Sequence, residues 1–158
     1  MKFKKILVPF DGSEHASHAL DLAYEMLRDG EDAKLYVMTV IMAPSITAYG
    51  TSSIMAANTP IALMDMDDYA EVINQALDDE RAKIAERIAD AIEEFGDRIV
   101  CDATANLYTV DGINEYAEEN GIDLIIMGRR GLGALRGMLG SVSYGILRSS
   151  EIPVITMK

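Results

Sequence analysis

A glycine-rich segment near the end of the chain has the residue types of an anion-binding loop. It runs from Gly128 to Gly140 and leads into Ser141, with Ser143 two residues further on. Glycine lets backbone N–H groups approach a bulky anion closely, and the start of a helix adds N–H donors and a positive dipole end. The segment and the residues that follow it to position 150 carry four arginines and no acidic residue. We interpret the segment as the seat of an anionic ligand such as a phosphate; the alternative is a surface loop that its arginines keep soluble.

Asp11 is the second candidate, because it comes directly after the first apolar run of the chain. A carboxylate repels phosphate, but it accepts hydrogen bonds from an exocyclic amine, a ring N–H or a sugar hydroxyl. We therefore interpret the two loops as holding one nucleotide, with the base at Asp11 and the phosphates at the glycine-rich segment. Val40, at the end of the second apolar run, supplies an apolar wall for the base. The alternative role of Asp11 is to cap the following helix together with Ser13.

Apolar runs and helical periods alternate along the chain and predict the elements that position these loops. Strands are predicted at residues 4–8, 34–41, 98–105, 124–127 and 152–157. Helices are predicted after Ser13, over residues 67–95, after Asp111 and after Ser141. The alternation is typical of an α/β fold, a parallel sheet with helices on both faces, whose ligands bind beyond the carboxyl ends of the strands. We predict one domain over residues 1–158.

The composition argues against several classes of function. The 158-residue chain has a net charge of −12, which opposes general binding to nucleic acid or to an anionic membrane surface. The uncharged residues 35–64 are interrupted by prolines and polar residues, so no membrane span is predicted. Cys101 is the single cysteine of the chain, which is typical of a reducing compartment, and we predict a cytoplasmic protein.

Three weaker signals have either a purely structural interpretation or two open alternatives. Residues 42–66 have no clean period and are rich in Ala, Met, Ser and Thr. Their methionines fit an adaptable lid or partner surface, and they fit core filler and loop equally well. His15 and His18 are spaced as a metal pair would be, but no third ligand accompanies them and a surface position is predicted. Cys101 is predicted to be a small buried residue.

Three segments together resemble the universal stress protein family. Residues 5–13 look like the opening strand and loop of that family, and residues 152–155 look like its last strand. Residues 123–128, followed by Gly131 and by residues 140–143, resemble its hallmark glycine loop. The resemblance implies an open five-stranded parallel sheet of order 3-2-1-4-5, of the adenine nucleotide hydrolase-like type, in the ATP-binding branch of the family. It also implies a homodimer formed through the last strand, from Pro153 to Met157.

The resemblance also assigns binding residues. Asp11 and Val40 would contact adenine, with Pro9 and Phe10 beside it. The ribose and the phosphates would be held by residues near and within the glycine-rich segment: Met127, Gly128, Gly131, Gly140, Ser141, Val142 and Ser143. Arg130 joins this set as a cation of the same segment. The implied ligand is ATP, with ADP and AMP as alternatives, with or without Mg²⁺.

The sequence departs from the family pattern at three places in the predicted site. Eight residues, rather than the usual nine, separate Gly131 from Gly140, so the phosphate seat is expected to differ. Leu107 and Tyr108 follow the third strand, where the family has a glycine, and we expect them to narrow the cavity. Phe10 stands where small polar residues are common, and it should make the contacts with the base more apolar.

Three functions remain open from the sequence. The first is an ATP-binding regulatory or stress-response protein that signals to a protein partner. The second is an ATP hydrolase of slow turnover, or a protein that phosphorylates itself on Ser141 or Ser143. The third is a dimeric interaction module of the same fold that does not bind ATP. No Walker lysine follows Gly140 and no clear general base faces the predicted phosphate seat, which favours the first function over an enzyme. A nicotinamide dehydrogenase is disfavoured, because no Gly-x-Gly-x-x-Gly follows the first strand.

Overall fold

A parallel sheet of five strands forms the centre of the computed structural model, which describes residues 3–30, 32–43, 66–132 and 138–158. The strands are β1 (Lys5–Pro9), β2 (Lys34–Met42), β3 (Ile99–Asn106), β4 (Leu124–Gly128) and β5 (Val154–Met157). Their order is β3-β2-β1-β4-β5, and all four neighbouring pairs are parallel. The predicted fold class and strand order are therefore confirmed.

Helices cover both faces of the sheet, as the sequence predicts. They are α1 (Glu14–Asp29), α2 (Met66–Arg87), α3 (Ala89–Phe95), α4 (Thr109–Asn120) and α5 (Ser141–Ser149). Among the described residues, no helix is long and apolar enough to cross a membrane. The predicted lid or loop at residues 42–66 lies almost wholly outside the described residues.

Side chains of β1 alternate between two hydrophobic layers. Ile6 and Val8 pack with α1, α2 and α3 on one face, while Leu7 packs with α4 and α5 on the other. All three residues are fully buried, so both hydrophobic layers exclude solvent at this strand. Strands that are covered on both faces read as continuous apolar runs, which is why the sequence predicts them well.

The single helix predicted over residues 67–95 is wrong in one respect, because α2 and α3 are separated at Ile88. The backbone of Ile88 leaves helical geometry, with φ −115° and ψ 26°. Its N–H still donates to the carbonyl of Ile84, and its own carbonyl accepts from Ile92. The apolar stripe continues through this bend, because Ile84 and Ile88 are both buried. The hydrophobic period of the sequence therefore does not reveal the break between the two helices.

Two predicted helix starts have different outcomes. Ser13 is the N-cap of α1, and its side chain accepts from the backbone N–H of Ala16, as predicted. The predicted cap at Asp111 is wrong, because α4 begins two residues earlier at Thr109 and Asp111 lies within its first turn. Tyr108 occupies the N-cap position of α4 and makes no side-chain capping bond.

Candidate functional site

A cavity of about 730 Å³ lies at the carboxyl ends of β1, β2 and β4. We call it the main cavity. It is of the size that holds small-molecule ligands, roughly 300–1,000 Å³. All the residues predicted from the sequence to contact a ligand line it: Pro9, Phe10, Asp11, Val40, Met127, Gly128, Arg130, Gly131, Gly140, Ser141, Val142 and Ser143. The carboxyl ends of parallel strands meet at one edge of a sheet, so two loops more than a hundred residues apart become neighbours.

A hydrogen bond from a side chain joins the loop after β1 to the loop after β4. The hydroxyl of Ser13 lies 3.4 Å from the carbonyl oxygen of Arg130 and donates to it. The same hydroxyl accepts from the N–H of Ala16, so one side chain caps α1 and ties the second loop to it. The N–H of Gly140 donates to the carbonyl oxygen of Arg129 at 2.9 Å and closes the glycine-rich segment on itself.

Asp11 lies directly beside the glycine-rich segment. A Cβ atom built on Gly131 would collide with the Oδ2 atom of Asp11. The other carboxylate oxygen, Oδ1, accepts from the backbone N–H of Ser13 at 3.0 Å. One oxygen therefore supports the start of α1, which is the alternative role considered for Asp11, and the residue also lines the main cavity. The carboxylate adjoins the predicted phosphate seat instead of lying at the opposite end from it.

The start of α5 supplies unpaired backbone donors to the main cavity. Gly140 is its N-cap residue, and no side chain in the described part of the chain caps this end. The first N–H groups of a helix have no acceptor within the helix, and the dipole places positive charge there. Ser141, Val142 and Ser143 form this first turn, and all three line the cavity. This end of the cavity fits an anionic group.

Two residues that the sequence assigns to the ligand have a structural role as well. The hydroxyl of Ser143 is buried and donates to the carbonyl oxygen of Gly128 at 2.8 Å, so it is not available as a donor to phosphate. A Cβ on Gly128 would lie 2.8 Å from the backbone nitrogen of Ala16 and 2.9 Å from the carbonyl carbon of His15. Glycine at position 128 is therefore explained by the close approach of α1 to β4.

The opposite wall of the main cavity is apolar. Val40 packs against the hydrophobic layer that contains Met38, Ile113 and Met127. A Cβ on Gly112 would lie 2.9 Å from the Cγ1 atom of Val40, so this glycine lets α4 approach β2 and complete the wall.

The loop after β3 contributes differently from the prediction. Thr109 lines the main cavity, whereas Leu107 and Tyr108 do not. They are 45% and 66% exposed, so the expectation that they narrow the cavity is wrong. The reason is that α4 begins at Thr109 and the two preceding side chains are left outside. Residues missed by the sequence analysis line the cavity from several elements: Met38, Thr39, Thr109, Ile113, Leu132, Met138 and Leu139.

The weaker chemical signals of the sequence do not form a second site. Within the described ranges, no group of three His, Cys, Asp or Glu side chains could hold a metal ion. His15 and His18, predicted at the surface, are half-buried, and the Nδ1 atom of His18 contacts the carbonyl oxygen of Lys158. Cys101 is half-buried, and burial raises the pKa of its thiol, which makes the thiol less reactive.

Comparison with known proteins settles the family. The model of the universal stress protein family matches residues 2–158, which is nearly the whole chain. The chain belongs to the universal stress protein family. It is 31% identical to universal stress protein YxiE of Bacillus subtilis over 99% of both chains. It is 28% identical to universal stress protein MJ0531 of Methanocaldococcus jannaschii, over 99% of this chain and 82% of the relative.

Solved structures of universal stress proteins share the fold. UspA from Lactobacillus plantarum superimposes with a TM-score of 0.70 at 19% identity, over 100% of this chain and 99% of that one. A universal stress protein from Archaeoglobus fulgidus, solved in complex with dAMP, superimposes with a TM-score of 0.56 at 20% identity, over 100% of both chains. A third, solved in complex with cAMP, gives a TM-score of 0.60 at 24% identity, over 99% of this chain and 98% of that one.

Proposed function

We propose that this universal stress protein binds an adenine nucleotide, ATP, ADP or AMP, in the main cavity and acts as a nucleotide-dependent regulatory protein in a stress response. One observation carries the proposal: a cavity with an apolar wall ends at the uncapped start of α5. Two structural neighbours in the family were solved with cAMP and with dAMP, which supports an adenine nucleotide as the ligand class.

The arrangement of groups suggests how a nucleotide is oriented. The phosphates lie against the N–H groups of Ser141 and Val142 and beside Gly131, with Arg130 lining the same cavity. The base lies against the apolar wall at Val40. The ribose lies between them, near the carboxylate of Asp11, which accepts hydrogen bonds from hydroxyl groups.

A binding role fits the residues of the main cavity better than catalysis does. Among the lining residues that the structure describes, Asp11 is the one carboxylate and there is no lysine. Phosphoryl transfer needs a group that positions the nucleophile, and one oxygen of Asp11 already accepts from Ser13. We therefore propose at most slow hydrolysis. A Mg²⁺ ion brought with ATP would be held mainly by the phosphates, because a single carboxylate makes a weak protein site.

Titration calorimetry with ATP, ADP and AMP tests the proposal, using a pair of matched variants. Ser141→Asp adds a negative charge where the phosphates are placed, and Ser141→Asn is its neutral counterpart of nearly equal shape. An acidic residue in the first turn favours the helix, so weaker binding cannot be ascribed to a melted α5. We expect Ser141→Asp to bind at least about tenfold more weakly than Ser141→Asn, because like charges repel strongly at short range.

Three outcomes would contradict this proposal. Absence of heat with all three nucleotides would leave a dimeric interaction module as the function. Equal affinities of Ser141→Asp and Ser141→Asn would move the phosphates away from α5. Phosphate release from ATP at about one per second or faster would identify an enzyme instead of a regulator, since typical enzymes work in that range.

We also propose that two chains pair through β5, which is an edge strand of half-exposed residues. The carbonyl oxygens of Pro153 and Met157 accept from the N–H groups of Ile125 and Arg129, in and just after β4, so the backbone N–H of Thr156 points away from the sheet. Thr156→Pro removes only that outward donor and should yield a monomer in light scattering. Ile155→Pro, the control, should lower the melting temperature, because it removes a bond to β4. A dimer that survives Thr156→Pro would exclude this pairing.

Because Cys101 is the single cysteine, we propose the reducing cytoplasm as the compartment.

A further inference from the structure

A second cavity of about 230 Å³ adjoins the main cavity, and we call it the side cavity. The two cavities share Phe10, Asp11 and Thr39 in their linings. The rest of the side cavity is formed by Gly12 and by residues of α2, including Lys83 and Arg87. Its volume is smaller than that of pockets that hold a whole small-molecule ligand. It therefore suits one substituent of a ligand that is bound mainly in the main cavity.

Two cations and two carboxylates line the side cavity, and the cations have N–H donors that the carboxylates do not use. Glu80 lines it, but its carboxylate is paired with Lys83 at 2.6 Å. Asp11 also lines it, and one of its oxygens accepts from the N–H of Ser13. Arg87 forms no hydrogen bond or ion pair with any residue in the described part of the chain. Lys83 has three N–H donors and uses one on Glu80. Glu80 is thus neutralised by its pair with Lys83, one oxygen of Asp11 is occupied, and Lys83 and Arg87 both keep N–H donors for an anionic group.

Lys83 and Arg87 suit a phosphate for different reasons. The hydrogen bond to Glu80 raises the pKa of Lys83. The planar fork of a guanidinium such as that of Arg87 matches the oxygens of a phosphate.

The position of Asp11 tells which part of a nucleotide faces the side cavity. Asp11 lines both cavities and adjoins Gly131, next to the phosphate seat. With the phosphates at α5 and the base at the apolar wall, the ribose is the part of the ligand that comes closest to Asp11. A substituent on the 2′ or 3′ oxygen of the ribose would therefore extend past the residues that the two cavities share and lie in the side cavity.

We propose that the side cavity binds a second phosphate carried on the 2′ or 3′ oxygen of the ribose, held by Lys83 and Arg87. The inference rests on the proposed binding of an adenine nucleotide in the main cavity. The remaining free hydroxyl donates to Asp11, so the carboxylate contacts a donor and not the phosphate. The ligand class is then an adenosine bisphosphate, or a larger molecule that contains one.

Calorimetric titrations of AMP, adenosine 2′,5′-bisphosphate, adenosine 3′,5′-bisphosphate and ADP test this assignment. ADP has the same number of phosphates as the bisphosphates but places both on the 5′ side. We expect one bisphosphate to bind about fivefold more tightly than AMP, because two exposed ionic contacts are each worth less than about 1 kcal/mol. In the double variant Lys83→Ala and Arg87→Ala this advantage should disappear, while the affinities for AMP and ADP stay the same.

Lys34→Ala serves as the control for loss of positive charge. Lys34 is exposed and begins β2, at the opposite edge of the sheet from both cavities. This variant should keep the full advantage of the bisphosphate over AMP. Binding of AMP with no gain from either bisphosphate would overturn the side-cavity assignment and leave the proposed function intact. An advantage that persists without Lys83 and Arg87 would overturn it too. Failure of every nucleotide to bind would overturn both proposals.

Discussion

The glycines of the glycine-rich segment have different roles, and alanine substitutions at Gly128 and Gly131 should distinguish a packing role from a role at the ligand. A Cβ at Gly128 would lie 2.8 Å from the nitrogen of Ala16 and 2.9 Å from the carbonyl carbon of His15. Both are backbone atoms of the first turn of α1, and comfortable contacts of carbon are about 3.5–4.0 Å. Alanine at position 128 therefore fits only if α1 moves away from β4 by roughly half an ångström or more.

The expected magnitude for Gly128→Ala follows from this overpacking. Forcing one extra carbon into a packed interior reduces the free energy of unfolding by about 1–3 kcal/mol. In a chain of this size each kcal/mol lowers the melting temperature by about 2–4 °C. The variant should therefore melt some degrees below the native chain, by about 4–8 °C for a loss near the middle of that range.

Gly131→Ala meets a different neighbour and should behave in the opposite way. Its Cβ would meet the Oδ2 atom of Asp11, the far end of an exposed side chain that can turn aside. The melting temperature should stay within about 2 °C of native, since surface changes alter stability by about 0.5 kcal/mol or less. Nucleotide affinity should fall, because the displaced carboxylate leaves its place beside the ligand.

Thermal unfolding of both variants, followed by calorimetric titration with AMP, measures the contrast. Gly128→Ala that melts at the native temperature would refute the packing argument. Gly131→Ala that loses as much stability as Gly128→Ala would refute the claim that only a mobile side chain opposes it. Either result would return both glycines to a common role in the loop.

Three further predictions concern stability and proton binding. Ser143→Ala removes the 2.8 Å hydrogen bond to Gly128 and leaves a carbonyl oxygen unpaired, so urea unfolding should show a loss of about 2 kcal/mol; an unchanged midpoint contradicts this. Burial raises the pKa of Tyr24 to about 12, and burial and Asp102 also raise that of Tyr116. Both tyrosines bind protons more tightly in the folded chain, so stability should be constant below the ordinary tyrosine pKa of about 10 and fall above it. Tyr24→Phe should make that fall less steep, and a flat native profile between pH 10 and 12 would exclude the effect. Asp102→Asn removes the charge beside the Tyr116 hydroxyl, 3.0 Å away, and should lower the pKa of Tyr116 in an ultraviolet titration; an unchanged titration curve counts against it.

Much of the fold is predictable because the local pattern and the global architecture agree. β1 and β4 are almost continuous apolar runs, as strands covered on both faces must be. Ser13 provides both the residue type and the geometry of a helix cap. The meeting of Asp11 with the glycine-rich segment is also predictable, because parallel strands deliver their carboxyl ends to one edge.

Element boundaries were less predictable, for reasons seen at two positions. The bend at Ile88 keeps its side chain buried, so the apolar stripe runs through without interruption. Asp111 is a favourable capping residue, yet α4 starts at Thr109, where Gly112 permits close packing of the helix on Val40. Tertiary contact outweighs local preference in both cases.

The sequence alone determined which groups could meet a nucleotide and at which edge of the sheet they gather, since residue types and apolar periods are local properties. The tertiary structure decided what each group touches. Gly128 and Ser143 turned out to hold α1, β4 and α5 together, and Leu107 and Tyr108 to stand outside the main cavity. The physical reason is that such roles depend on distances of a few tenths of an ångström between atoms far apart in the chain, and only the packed fold sets those distances.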